Sequence, residues 1–307
     1  MATAATPEPG SGDESTRPRD GGGIRLLVLD VDGTVTNSRH EVDAATVAAI
    51  GRARAAGIGV MIATGRRYRD VLPVADRLGI GGAIVTASGA LVKRREDHAT
   101  LFKAAFAPGT LRSLLDVVVA HGRDPILYTD SFAAGFDFHC GRLPPAGEAR
   151  GGVEEYLERN RHVARLAPDI DRSPPDGVFA GFAMGPRDAM LELERALHDA
   201  CPGRLALHVI KSPRYREWMC ELAPAGVTKW SGVLPVAAAW GIAAAEICAV
   251  GDDVNDLPMI RGAGLGIAMG NAREEVRAAA DRVVGDNEGR GIAEVAEIVI
   301  EGAGAAS

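Results

Sequence analysis

The chain has 307 residues, 47% hydrophobic and 24% charged, and its 34 Lys and Arg against 41 Asp and Glu leave a net charge of −7. That acidity, with no basic cluster interleaved with aromatics, argues against a nucleic-acid partner. The length suits two domains or one domain with a large insertion, and aromatics at 5% leave little material for stacking surfaces.

Residues 1–23 are rich in Pro, Gly, Ser, Asp and Glu and lack an apolar run, so they read as a disordered tail rather than a signal peptide, and a cytoplasmic location is expected. The apolar stretch from Leu26 to Leu29 then stops at Asp30-Val31-Asp32-Gly33-Thr34. Such a run suits a strand covered on both faces. Asp30 and Asp32, two apart, share a face of an extended chain, and a turn at Gly33 lets both converge on one ion. On this motif alone a solvated Asp-Gly turn fits as well.

Asp43 is a plausible N-cap for a helix over residues 44–56 that Gly57 ends. A second strand over 58–63 is tipped by Thr64-Gly65-Arg66 and leads into a helix over 68–78, and a third over 83–86 is tipped by Ala87-Ser88-Gly89-Ala90. Three strand-helix units in a row predict a parallel, doubly wound sheet.

From about Lys93 the pattern changes. Charged residues 93–97 precede helices expected over 110–121, 153–161 and 187–199, strands over 126–128, 177–184 and 205–210, and a loop-rich stretch over 132–150. This order predicts an inserted α+β unit, with Lys211-Ser212-Pro213 as the return hinge. Strand-helix units then resume. Thr228-Lys229 opens a helix in which Pro235 predicts a kink or a late start. Residues 246–250 form a strand tipped by Gly251-Asp252-Asp253-Val254-Asn255-Asp256, and strands over 264–269 and 282–284 and helices over 273–280 and 292–301 complete the sheet. Residues 230–250 approach a membrane span in length and apolarity, but Pro235, Gly241 and Glu246 favour a core helix followed by a strand, so no membrane partner is expected. Cys140, Cys201, Cys220 and Cys248 form no C-x-x-C pair and read as reduced structural thiols.

Parallel topology gathers Asp30, Asp32, Thr64, Lys229, Asp252, Asn255 and Asp256 at one end of the sheet. Several carboxylates around one point repel unless a cation sits among them, and an all-oxygen set suits Mg²⁺. A lysine and backbone amides beside that ion would neutralise a phosphoryl group, and a carboxylate nucleophile can carry it as an aspartyl-phosphate.

Over about residues 24–300 the chain resembles the haloacid dehalogenase superfamily of phosphatases, in its Cof-type, type IIB-capped, sugar-phosphatase-like branch. Four motifs carry the resemblance in order: D-x-D-G-T at 30–34, Thr64 at a strand end, Lys229 in Gly226-Val227-Thr228-Lys229, and G-D-x-x-N-D at 251–256. The resemblance implies Asp30 as nucleophile and Asp32 as general acid and later base. Thr64, Gly65 and Lys229 would hold the phosphate. Mg²⁺ would be held by Asp30, Asp252 and the main-chain carbonyl of Asp32. Asn255 would act as an amide on the phosphate or substrate side, and Asp256 would orient Lys229 or a metal-bound water.

The implied fold is a Rossmann-like three-layer α/β core with a parallel sheet over 24–92 and 212–307, and an inserted cap over 93–211. The implied function is Mg²⁺-dependent hydrolysis of a small, sugar-phosphate-like metabolite, with a phosphomutase of the same superfamily or a non-catalytic phosphometabolite-binding protein as alternatives. Two positions depart from the family pattern. Ser88 stands where many members carry Asn in N-G-A, and Trp230 replaces the usual Gly, both expected to alter the pocket's rim. In the cap, His139, Arg142, Arg150, Arg214 and Arg216 are candidates for contacting the rest of the substrate, although surface arginines on a cap, and packing in the case of His139, account for them more simply.

Overall fold

A computed structural model describes residues 23–212 and 215–305 of the chain. The expected tail, except Gly23, and Pro213 and Arg214 lie outside the described residues. The chain begins with β1 (Leu26–Leu29), α1 (Ala44–Ala55), β2 (Gly59–Ala63), α2 (Tyr68–Leu78), β3 (Ala83–Thr86), β4 (Leu91–Arg94) and β5 (Thr100–Lys103). It continues through α3 (Pro108–Ala120), β6 (Ile126–Tyr128), β7 (Phe138–Cys140), α4 (Gly152–Arg159), β8 (Ala164–Leu166), β9 (Ala180–Gly185), α5 (Arg187–Ala200), β10 (Leu205–Lys211) and β11 (Trp218–Pro224). It ends with α6 (Lys229–Ala239), β12 (Ile247–Gly251), α7 (Leu257–Gly262), β13 (Leu265–Ala268), α8 (Glu274–Ala279), β14 (Arg282–Val283) and α9 (Gly291–Ala305).

These strands make two sheets. The first has the order β14-β13-β12-β1-β2-β3-β4-β5 and is parallel from β14 to β3. Alternate residues of β1 go to opposite faces. Leu27 and Leu29 pack with Ile50 of α1, Val71 of α2 and Val295 of α9. Leu26 and Val28 pack with Val233 of α6 and Met259 of α7. Covering both faces explains why β1, β3, β12 and β13 read as unbroken apolar runs. The result is the three-layer α/β core that the sequence predicts. Asp43 caps α1 as expected, its carboxylate accepting from the Thr46 amide at 2.6 Å.

The second sheet, β10-β11-β9-β6-β7-β8, is antiparallel except where β7 meets β8. One face packs on α3 and α5 through Leu114, Leu115, Leu193 and Leu197.

Sheet membership differs from the expected boundaries at 93 and 211. The charged residues after Lys93 are not the start of the insertion but the turn of the β4–β5 hairpin, which extends the first sheet to Lys103. Residues 211–213 are likewise not a hinge. Lys211 ends β10 and pairs with Trp218 of the antiparallel partner β11, so the second sheet runs to Pro224, while Pro213 lies outside the described residues. Two segments therefore join the sheets, 104–107 and 225–228. The stretch 132–150, read as loop, contains β7. Pro235 neither delays nor ends α6, because a capping box secures its first turn: the Thr228 hydroxyl accepts from the Ser231 amide at 3.1 Å and the Ser231 hydroxyl accepts from the Thr228 amide at 2.9 Å. Residues 230–250 form most of α6 and β12, and among the described residues no helix is long and apolar enough to cross a membrane. All four cysteines are buried and free.

Candidate active site

The tips of β1 and β12, side by side in the sheet, and the first residue of α6 meet at one point. Lys229, 2% exposed, reaches Asp30 Oδ1 and Asp256 Oδ1 at 2.6 Å each, with Asn255 Oδ1 at 3.3 Å. The other oxygen of Asp256 accepts from the amides of Asp252 and Asp253 at 3.0 and 3.1 Å. Asp256 is thus fixed from both sides, by the lysine and by the turn it closes.

Oxygens of Asp30, Asp252 and Asp256 lie within 4.8 Å of one another. Burial lifts the Asp30 carboxyl well above the ordinary carboxylate range, although Lys229 pulls the other way. Burial also lifts Asp252, to about 6, against the hydroxyl of Thr34, which donates to it at 3.0 Å. Burial opposes the charge on Lys229, but Asp256 and Asp30 outweigh it and hold the ammonium above its usual range. Three hard oxygen donors that are costly to ionise together fit a divalent cation such as Mg²⁺. Asp256 has both oxygens occupied by donors, whereas Asp30, held at Oδ1 by Lys229, and Asp252, held at Oδ1 by Thr34, each keep a second oxygen for a cation.

Gly33 makes this approach possible. Its φ is +81°, and a Cβ there would lie 2.3 Å from Asp252 Oδ2. The side chain of Asp32 points away from the cluster. Arg66 holds it by two hydrogen bonds of 2.6 and 2.8 Å, and His40 Nδ1 lies 3.5 Å from it. Burial disfavours the Asp32 charge, but the Arg66 pair outweighs it and keeps the carboxyl below the ordinary range. The grip of Arg66 on Asp32 has no signal in the spacing of the motifs.

Thr64, 1% exposed, follows β2, and its hydroxyl accepts from the Arg66 amide at 3.1 Å. Beyond β3, Ala87 and Ser88 both have positive φ, 48° and 54°. Ser88 thus occupies a left-handed conformation that an asparagine adopts more readily. Trp230, expected at the pocket rim, instead packs against Gly262 on the face of the first sheet that α6 and α7 cover.

A cleft of about 220 Å³ lies between the two sheets, lined on one side by Gly65, Arg66 and Ser88 and on the other by β6, β9, β10 and β11. Of the cap candidates within the described residues, none lines it. Arg142 pairs with Asp124 at 2.7 Å on the surface, the Arg150 amide donates to Glu154, Arg216 is exposed, and His139 meets the Thr129 hydroxyl at 3.0 Å. Sequence reasoning missed the residues that do line it, notably Tyr128, Tyr156, Tyr215 and Glu221.

A family model described as haloacid dehalogenase-like hydrolase matches residues 27–295. The chain belongs to that family, among its phosphatases, the phosphoric monoester hydrolases. It is 27% identical to Phosphatase YwpJ of Bacillus subtilis (strain 168), with 88% of this chain and 98% of that protein covered. A haloacid dehalogenase-like hydrolase from Bacteroides thetaiotaomicron superposes with a TM-score of 0.72 at 27% identity, covering 89% of this chain and 98% of that one. The subclass IIB sugar phosphatase BT4131 shares the fold at a TM-score of 0.68 and 23% identity, with 89% and 98% covered.

Proposed function

We propose that the chain hydrolyses a small phosphorylated metabolite through an aspartyl-phosphate on Asp30. The observation that carries this reading is the position of Lys229, 2.6 Å from both Asp30 and Asp256 beside the Asp252 carboxylate. In this reading Asp30 attacks phosphorus while Lys229, the Thr64 hydroxyl and the Gly65 amide hold the phosphoryl oxygens. Asp32, released from Arg66, donates a proton to the departing oxygen and later takes one from the water that cleaves the aspartyl-phosphate. Asn255, exposed beside Lys229, contacts the phosphate from the solvent side.

Asp30, Asp252 and the main-chain carbonyl of Asp32 would hold Mg²⁺, which supplies charge neutralisation between the nucleophile and the phosphoryl oxygens. Asp256 keeps Lys229 charged and aimed. The first sheet with its helices acts as the catalytic unit, and the unit built on the second sheet acts as a cap that excludes water and recognises the leaving group.

Phosphate release across sugar phosphates, nucleotides and aromatic phosphates, with Mg²⁺ and then with chelator, tests this. Mg²⁺-dependent release that Asp30→Asn abolishes is the expected result. Isomerised hexose phosphate without free phosphate would instead mark a mutase, and tight binding without turnover a binding protein.

A further inference from the structure

The cleft between the sheets carries a chemistry that phosphoryl transfer does not use. Three of the chain's four tyrosines, Tyr128, Tyr156 and Tyr215, line it together with Phe182. Tyr156 meets Phe182 and Tyr215 edge to face, with centroids 4.9 and 5.3 Å apart. Their hydroxyls already have partners: Tyr128 and Tyr156 bond each other at 3.0 Å, and Tyr215 accepts from Asn160 at 2.9 Å. Ala180, Ala206 and Ala223 line the cleft on the second sheet, leaving room beneath the rings. The tyrosine, phenylalanine and alanine walls suit a flat ring, and a polyol's hydroxyls would find few partners along them.

Among the charged groups of the lining, one acidic side chain stands apart. Glu221 of β11 faces the cleft, opposite His208 of β10 and Phe182 of β9, and has no hydrogen-bond or ion-pair partner among the described residues. The other charged groups of the lining are engaged: Arg66 with Asp32, and Arg67 with Asp70 at 2.7 Å and with Asn160 at 2.9 Å. Burial pushes the Glu221 carboxyl up to about 7 against the pull of Lys229, the cost of a carboxylate kept without a partner.

Resting on the phosphatase reading above, we infer that the leaving group is a flat ring bearing an amino or ring N–H donor, seated among Tyr128, Tyr156 and Tyr215 with that donor on Glu221. This departs from the sugar-like leaving group implied by the family resemblance.

Calorimetric titration of the Asp30→Asn chain, in which turnover is blocked, tests the inference with Mg²⁺ and three probes: pyridoxamine 5′-phosphate, phenyl phosphate and glucose 6-phosphate. Pyridoxamine 5′-phosphate is expected to bind about 10- to 100-fold more tightly than phenyl phosphate, the worth of a hydrogen bond to a charged group, and glucose 6-phosphate is expected to bind most weakly. Adding Glu221→Leu closes the gap between the two ring phosphates, and Glu221→Gln, which keeps size and polarity, narrows it. Glucose 6-phosphate binding as tightly as pyridoxamine 5′-phosphate overturns the inference, as does a Glu221→Leu or Glu221→Gln protein that weakens both ring phosphates by one factor. Phosphate release from these three probes and from the wider panel above by the unsubstituted chain is measured in parallel. Its absence overturns the hydrolase reading alone, because the binding order still decides what the cleft holds.

Discussion

Asp32 shows how far a single residue can depart from what its motif implies. Its neighbour Asp30 meets Lys229 inside the carboxylate cluster, while Asp32 is turned outward onto Arg66. An acid held below the ordinary carboxylate range by a guanidinium has to leave that partner before it can carry a proton. Asp32→Asn is expected to lower kcat for an aryl phosphate by about 10²- to 10⁴-fold, with the fold retained by circular dichroism; an unchanged kcat would remove Asp32 from proton transfer. The meeting of Asp30, Lys229, Asp252 and Asp256 was legible in the sequence because each stands at a strand tip or a helix start that a parallel sheet brings together, and the family resemblance supplied the motifs around them. Arg66 was visible only as part of a polar strand tip, since its partner is 34 residues away. Glu221 gave no signal either, being one acidic residue in an extended segment whose facing strands cannot be read locally.

At the level of elements, Lys229 is positioned by the contact between two segments far apart in the sequence. The turn after β3 lies directly under the start of α6, and Gly89, with φ +105°, is the residue that lets them approach. A Cβ there would lie 1.9 Å from the Thr228 carbonyl oxygen and 3.1 Å from the Lys229 amide. Gly89→Ala therefore forces α6 to shift at the residue that carries the ammonium. The expected cost is about 1–3 kcal/mol, or several degrees in Tm, with a fall in kcat larger than the loss of folded protein explains. An unaltered kcat would show that Lys229 does not depend on this contact. The core helices and strands were legible from apolar periodicity and caps. The hairpins β4–β5 and β10–β11 were not, because a charged or Pro-containing stretch of sequence reads the same between paired strands as at a domain boundary.

Across the whole molecule, two chain crossings and a group of polar contacts join the two units. Arg67 and Arg69 at the start of α2 reach the second unit, Arg67 at Asn160 and Arg69 at Asp137, 2.9 Å each. The α/β core and an inserted α+β unit were foreseeable from the order of elements, whereas the cleft that forms where they meet was not, since its lining comes from strands far apart in sequence. The buried thiols happen to be divided between the same two units. Cys248 lies in β12 of the first sheet, Cys140 and Cys220 lie in the second, and Cys201 follows α5. Burial lifts Cys140 to about 11 and Cys220 to about 12, and lifts Cys248 as well, so these three thiols are protonated in the native state, and all four are buried away from solvent reagents. The molecule thereby carries internal reporters of its own opening. In rising denaturant, a thiol-specific label followed by peptide mapping is expected to modify Cys140, Cys201 and Cys220 together and Cys248 at a different midpoint. One shared midpoint for all four would mean that cap and core unfold as a single cooperative body.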